Sequence, residues 1–241
     1  MIKVELHCHS LGGSVCGHAT MDDIIDDYTA KGFGGVVLTN HYSSYNPVET
    51  SDEITLKDKV DKFFALYDDL KEKGAKRGLK AFFGAEIRII PTNTEYMLYG
   101  FDREFLYKNP TLYELTQKEL FALAEKNGIF MYQTHPFREG VDTGNPKYMH
   151  GAESFNGHFH HVNNNALAKK FCEENSLIEM VGCDYHDKDQ PISSYALIPE
   201  YINDEKSLAD YLMKGKAEFF TDEQDYINNL KKYKASKGII I

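Results

Sequence analysis

Apolar positions along the chain fall into two kinds of run. Short β-like runs at Ile2 to Leu6, Val36 to Thr39, Leu79 to Ile90, Tyr96 to Phe101, Ile129 to Gln133, Ala152 to Phe155, Leu177 to Val181 and Glu218 to Thr221 predict strands. Helix-like runs lie between them. Met21 to Lys31 has Thr20 as N-cap, Asp22 and Asp23 in its first turn and Gly32 as its stop. Leu56 to Lys73 carries Val60, Phe63, Phe64, Tyr67 and Leu70 on one side. Thr111-Leu112-Tyr113-Glu114 has the spacing of a capping box and predicts a helix from there to about Glu125, stopped at Asn127-Gly128. Ala166 to Glu174 and Asp204 to Lys214 predict two more. The tail Gly238-Ile239-Ile240-Ile241 is expected to close the structure or to pack on its outside.

Strand-helix alternation of this kind predicts a mainly parallel sheet with helices on its faces. No internal repeat or low-complexity linker divides the chain, so one domain is expected over residues 1–241. No G-x-G-x-x-G or P-loop pattern follows a strand, which leaves a nucleotide-binding sheet without support. An α/β barrel fits the alternation and the length, and places a site where strands end and loops begin.

Composition narrows the class further. Of the 241 residues, 42% are hydrophobic and 13% aromatic, enough for a sizeable core and incompatible with a disordered, collagen-like or coiled-coil chain. No apolar run approaches the ~18 to 20 residues of a membrane span. The start, Met-Ile-Lys-Val-Glu-Leu-His, lacks the apolar core of a secretion signal, so a cytoplasmic protein is expected. Lys plus Arg is 27 against 37 Asp plus Glu, a net charge of −10, the wrong sign for coating nucleic acid. An anionic substrate still fits if bound metals reverse the local field. The four cysteines, Cys8, Cys16, Cys172 and Cys183, match neither a disulfide scaffold nor a paired C-x-x-C zinc site and are expected as free thiols.

The chemistry follows the strand ends. In chain order they give His7-Cys8-His9-Ser10, Thr39-Asn40-His41, Gly84-Ala85-Glu86, Thr134-His135-Pro136 and Gly182-Cys183-Asp184-Tyr185-His186. Scattered core histidines would not track strand ends in this way. His7 and His9 are two apart, as are Asp184 and His186, and on extended backbone such residues project to one side. Imidazole and carboxylate together suit zinc, manganese or iron. The donors outnumber one tetrahedral site, which predicts a multinuclear centre with Glu86 able to bridge two ions.

This set, with Phe137-Arg138 after Pro136, resembles the PHP (polymerase and histidinol phosphatase) family, in order and over residues 7 to 186. The resemblance implies a distorted seven-stranded (β/α) barrel, two or three divalent ions at the C-terminal strand ends, and phosphoester hydrolysis by a metal-activated hydroxide. It implies that His7, His9, Glu86 and Asp184 hold one ion, that Glu86 bridges to a second also bound by His135, and that a third sits between His41, His186 and a residue of the Ser14 to His18 loop. Cys16-Gly17-His18-Ala19 is similar to a loop of histidinol-phosphatase members, which favours His18, with Cys16 the alternative.

Two departures stand out. The family often has Asp where Asn40 stands, and many members have a His just before the strand that here begins Glu95-Tyr96. Arg138 is a candidate to grip phosphate in bidentate fashion, with a structural ion pair as its other reading, and Lys188 is a weaker candidate. His158, His160 and His161 read as a polar loop, with contact to substrate or a general-acid role for one of them as the other reading. The expected activity is therefore hydrolysis of a small phosphate monoester or nucleotide, with Glu86, His135 and Arg138 at the reacting centre. Histidinol phosphate is one candidate substrate, a nucleotide or short oligonucleotide another, and a non-catalytic metal-binding module is the rival class. Hydrolysis of a carbon-nitrogen bond is disfavoured because no bridging lysine fits a middle strand.

Overall fold

The computed structural model describes residues 1–45 and 55–238; the tail residues Ile239, Ile240 and Ile241, for which a closing or packing role is expected, lie outside them. The elements run β1 (Ile2–Cys8), α1 (Met21–Ala30), β2 (Gly35–Leu38), β3 (His41–Tyr42), α2 (Leu56–Lys76), β4 (Lys80–Arg88), β5 (Glu95–Tyr99), α3 (Arg103–Lys108), α4 (Gln117–Asn127), β6 (Phe130–Gln133), β7 (Gly151–Asn156), α5 (Asn165–Asn175), β8 (Ile178–Gly182), β9 (Ser194–Ile198), α6 (Glu205–Leu212), β10 (Glu218–Thr221) and α7 (Glu223–Ser236). Of these, β3, α3, β9 and α7 have no counterpart in the pattern read from the sequence.

Among the described residues ten strands form one sheet in the order β10-β9-β1-β2-β4-β5-β6-β7-β8, with β3 beside β4. The chain leaving β8 returns to the end of β1. There Tyr185 N donates to His7 O at 3.0 Å and His9 N donates to Tyr185 O at 2.8 Å, so the sheet nearly closes into a barrel. The strand count corrects the expectation of seven. The additional strands are β3, a two-residue strand pairing His41 with Glu86 and Tyr42 with Ile87, and the antiparallel pair β9 and β10 laid on the other side of β1. The pairing is also mixed: β5 runs antiparallel to both β4 and β6, while β1, β2 and β4, and then β6, β7 and β8, run parallel.

Helix starts follow local chemistry. Thr20, Thr55 and Thr116 each accept from the amide three residues on, and Asp23, Asp58 and Glu119 return a carboxylate to the cap amide. The box expected at Thr111 does not form. Thr111 caps nothing, Leu112–Glu114 is a single 3-10 turn, and Leu115 is extended before the true cap at Thr116. Both threonines have an acid three residues later, and only the backbone path tells them apart.

Strand alternation sorts the core into two main clusters. Val4, Leu6, Val37, Phe82, Met97, Tyr99, Phe130, Tyr132 and Met180 face one another across the barrel interior, plugged from below by Leu208, Ala209 and Leu212 of α6. Their neighbours Val36, Leu38, Phe83, Ala85, Tyr96, Leu98 and Met131 point outward onto helices α1, α2 and α4. Apolar packing fills the lower barrel, so the polar residues at the strand ends sit on a closed floor. No helix among the described residues is long and apolar enough to cross a membrane.

Phe63 of α2 is 2% exposed and meets Tyr42 and Phe83 edge-on, with ring centroids 5.0 and 5.6 Å apart. Phe63→Ala is expected to lower stability by about 3–5 kcal/mol through lost burial and the cavity left behind, as read from urea unfolding midpoints at unchanged slope.

Candidate metal centre

The polar floor starts with a break in β1. Val4 and Leu6 face the interior, yet Cys8 lies in the outer cluster, so the alternation flips between them. The register against β2 shifts over the same residues, which marks a bulge. Glu5 satisfies the two amides this frees and one after β8: its Oε1 accepts from Leu6 N at 3.0 Å, from His7 N at 2.8 Å and from Cys183 N at 2.9 Å. The bulge turns His7 and His9 into the barrel mouth, opposite Asp184.

There the donor atoms converge. His7 Nε2 and His9 Nε2 are 3.0 Å apart, and each lies 3.2 Å from Asp184 Oδ1. Glu86 Oε2 faces His41 Nδ1 at 3.0 Å, His9 Nε2 at 3.3 Å and His7 Nε2 at 3.5 Å. His135 Nε2 lies 3.3 Å from Glu86 Oε1 and 3.6 Å from Glu95 Oε2. Among the described residues, four overlapping groups have all their ligand atoms within 4.8 Å of one another: His7, His9 and Asp184; His41, Glu86 and Glu95; His9, Cys16 and His41; His158, Asp184 and His186. Glu86 Oε2, His41 Nδ1 and His135 Nδ1 are buried with no hydrogen-bond partner. A buried carboxylate oxygen without a donor, facing three imidazole nitrogens, is what a metal centre stripped of its cations would leave.

Partners behind the cluster set the tautomers. A carbonyl or carboxylate oxygen only accepts here, so the ring nitrogen facing it carries the proton. His7 Nδ1 donates to Glu153 Oε1 at 2.9 Å. His186 Nδ1 and His158 Nδ1 donate to Asp184 O at 2.7 and 2.9 Å. Each leaves Nε2 as the ring atom available for a cation. Glu153 Oε2 also accepts from His135 N at 2.9 Å and Asn156 Nδ2 at 2.8 Å. His135 and Asp184 adopt positive φ, 30° and 51°, the left-handed backbone that side chains avoid unless the surroundings impose it.

Electrostatics are dominated by burial and mutual pairing. Burial alone would push His7 down, but Asp184, Glu153 and Glu86 outweigh it and hold His7 well above its usual value. Burial would raise Glu86 and Asp184, yet His41 and His7 around the first, and His7, Arg138 and His186 around the second, hold both well below the carboxylate range. Desolvation pushes His41 and His186 down, and His158 to about 3, so that ring is neutral at pH 7.

Seven of the expected residues, His7, His9, His41, Glu86, His135, Asp184 and His186, come together. His18 does not. Its ring is 65% exposed and bonds Asp187 Oδ1 at 2.9 Å, while Cys16, exposed at the rim, directs Sγ toward the cluster, 3.1 Å from His186 Nε2. Partial desolvation of the sulfur and the nearby carboxylates of Asp184 and Glu86 push that thiol up, even though the residue as a whole is exposed. Arg138 forms an ion pair and also lines the cavity over the cluster: Nη2 donates to Asp184 Oδ2 at 2.5 Å and to Asn156 Oδ1 at 2.9 Å, and Nε donates to Asn163 Oδ1 at 2.8 Å. Lys188 pairs with Asp23 at 2.8 Å, away from the cluster. Asn40 acts at one remove: its Oδ1 accepts from Ser14 Oγ at 3.2 Å, and that hydroxyl contacts His9 Nδ1 at 2.9 Å.

Four residues escape the sequence reading. Glu95 brings its carboxylate into the group with His41 and Glu86, in the place where the expected histidine is missing. Its position directly before Tyr96 was the available signal. His158, read as a polar loop, is buried against Asp184. Glu5 and Glu153 lie inside strands, where nothing in the pattern separates a buried acid from a surface one.

No family model and no curated protein matches the chain. Solved structures do. A two-domain protein from Bacteroides vulgatus containing a predicted PHP-like metal-dependent phosphoesterase is 17% identical, with a TM-score of 0.64 over 96% of this chain and 69% of that one. PsfC from Pseudomonas syringae is 16% identical, with a TM-score of 0.64 over 98% of each chain. The lesion-specific endonuclease Q of Pyrococcus furiosus is 13% identical, with a TM-score of 0.60 over 90% of this chain and 57% of that one. The chain thus shares its fold with PHP-like phosphoesterases, and the motif resemblance and the structural one point the same way.

Two substitutions separate ligands from bystanders. His18→Ala is expected to leave metal content unchanged. Glu153→Gln is expected to weaken metal binding by about 10–100-fold, because it loosens His7 and the His135 backbone together. Elemental analysis and competition with a chelator read both, and melting temperatures confirm that the variants are folded.

Proposed function

We propose that the chain is a metal-dependent phosphoesterase that hydrolyses a small phosphate monoester or a nucleotide. The observation that carries this reading is the unpartnered Glu86 Oε2, buried among the ring nitrogens of His7, His9 and His41. Likeness of fold to a PHP-like metal-dependent phosphoesterase supports it. His7, His9 and Asp184 would hold one divalent ion, and His41, Glu86 and Glu95 with His135 a second. His186 and His158 offer Nε2 for a third. The donor set suits zinc, manganese or iron. When bound, such ions supply Lewis acidity toward phosphate oxygens and a water of lowered pKa.

The chain's own groups do the rest. Glu86 presents one oxygen to each side, Oε1 toward His135 and Oε2 toward His9 and His41, and Thr134 Oγ1 donates to Oε1 at 2.6 Å to fix its plane. Arg138 fixes Asp184 in the same way. The cavity above the cluster is about 480 Å³ and is lined by His41, Arg88, Arg138, His160 and His161 among others. That volume suits a small ligand. His161, exposed at the mouth of the cavity, presents its ring to a ligand as a hydrogen-bonding group. With a net charge of −10, nucleic acid enters this reading only as a nucleotide or short oligonucleotide.

Glu86→Gln keeps the shape and removes the bridging charge. With manganese or zinc present, it is expected to lower phosphate release from p-nitrophenyl phosphate by at least ~10²-fold, a fraction of what a metal supplies as Lewis acid. The metal-free variant is expected to stay folded with a lowered melting temperature, because a carboxylate held this low stabilises the fold at neutral pH. A metal-loaded wild-type protein without activity on any phosphoester of a broad panel would instead favour the non-catalytic metal-binding module.

A further inference from the structure

We propose that Cys16 is a thiolate ligand at the outer edge of the centre, and that it makes this position select a soft divalent ion, zinc or ferrous iron, over magnesium, calcium or manganese. The proposal rests on the cluster being a metal centre and adds what kind of ion one part of it takes. Cys16 Sγ stands among three imidazoles. It groups with the ligand atoms of His9 and His41, all within 4.8 Å of one another, and lies 3.1 Å from His186 Nε2. His186 Nδ1 is committed to Asp184 O, so Nε2 accepts from the Cys16 S–H through the lone pair that a cation would take.

A second observation points to a cation at the same place. Glu86 Oε2, on a side chain 1% exposed, has no hydrogen-bond partner and is aimed at His41 and His9, two of the imidazoles that face Cys16. The backbone fixes the thiol there. His18 N and Ala19 N donate to His186 O at 2.8 and 2.9 Å, Gly17 N donates to Ser14 O at 3.1 Å, and Leu11 N donates to Ala19 O at 2.8 Å. The loop is thus tied to His186 itself, with the His18 ring turned to solvent and Cys16, exposed at the rim, directing its Sγ at the imidazoles. The other thiols point elsewhere: Cys8 to His9 O, Cys172 to Ala152 O and Cys183 to Ser194 O.

Sulfur and nitrogen donors favour zinc and ferrous iron, whereas carboxylate oxygens favour harder ions. The group of His41, Glu86 and Glu95 is oxygen-rich, so the two sides of the centre differ in softness and are expected to hold unlike ions.

Cobalt reports the ligand directly. The full chain loaded with cobalt(II) is expected to show a near-ultraviolet thiolate-to-cobalt charge-transfer band that Cys16→Ser lacks, while the visible bands of the remaining positions persist. Zinc binding by Cys16→Ser is expected to weaken by ~10-fold or more, with manganese binding changed less. In the unsubstituted protein, zinc is expected to protect Cys16 from alkylation and magnesium is not, as read by peptide mass spectrometry. That arm does not depend on a variant folding. Cobalt bound without the band, a band that survives in Cys16→Ser, or no protection by zinc overturns the thiolate assignment and leaves the centre standing. No cobalt, zinc or manganese bound at all overturns both readings.

Discussion

The carboxylate of Glu5 ties together the two strand ends on which everything polar in this barrel depends. Buried completely, it receives the amides of Leu6, His7 and Cys183 and the hydroxyl of Tyr28. Two of those amides are freed by the β1 bulge and the third begins the turn after β8. One side chain therefore compensates the lost ladder bonds and sets the distance between the segment bearing His7 and His9 and the segment bearing Asp184 and His186. Burial raises the pKa of Glu5, and the hydrogen bonds from Cys183 and His7 oppose that rise. An acid this deep is tolerated because every oxygen has donors, and removing it would leave buried amides unpaired.

Above Glu5 the barrel changes character within a few ångströms. The lower interior is aliphatic and aromatic, and its upper boundary is drawn by Tyr99 and Tyr132, whose hydroxyls meet at 3.0 Å while Tyr99 also donates to Leu6 O. Above them stand His7, Glu153, Glu86 and Asp184, all buried. Gly182 shows how little room is left: a Cβ there would come within 2.4 Å of His7 Cβ and 2.6 Å of Glu153 Oε1. So many ionisable groups in so dry a place require mutual neutralisation. Without cations the site achieves it with a raised His7 and depressed Glu86 and Asp184. Divalent ions would do it with less proton bookkeeping, and competition between protons and ions follows from the same groups.

The loops over the cluster are fixed by tertiary bonds more than by their own structure. Tyr226 of α7 accepts from Asn163 N at 3.0 Å and donates to His161 O at 2.9 Å. Asn163 in turn holds Arg138, and Arg138 holds Asp184. A C-terminal helix on the outside is thereby linked to a carboxylate at the centre of the site.

What the sequence determined by itself was what depends on near neighbours. Period-two and period-3.6 patterns placed the strands that bear the site and the helices α1, α2 and α5, because those patterns are written in consecutive residues. The residues gathered in the mouth were legible as far as they follow strand ends: His7, His9, His41, Glu86, His135, Asp184 and His186 share that position, and parallel strands bring their ends together. Tertiary structure decided the rest. Whether Cys16 or His18 points at the cluster depends on backbone bonds to His186, about 170 residues away along the chain. That Glu95 joins the cluster depends on β5 running antiparallel beside β4, and that Glu5 and Glu153 are buried depends on a bulge and on barrel closure. The strand count rose to ten because β3 and β9 exist only through their pairing partners, and β9 brings β10 into the same sheet. Between Thr111 and Thr116, two boxes of equal local merit, the packed path of the backbone chose the second. In each case the local signal was degenerate, and a contact between distant residues broke the tie.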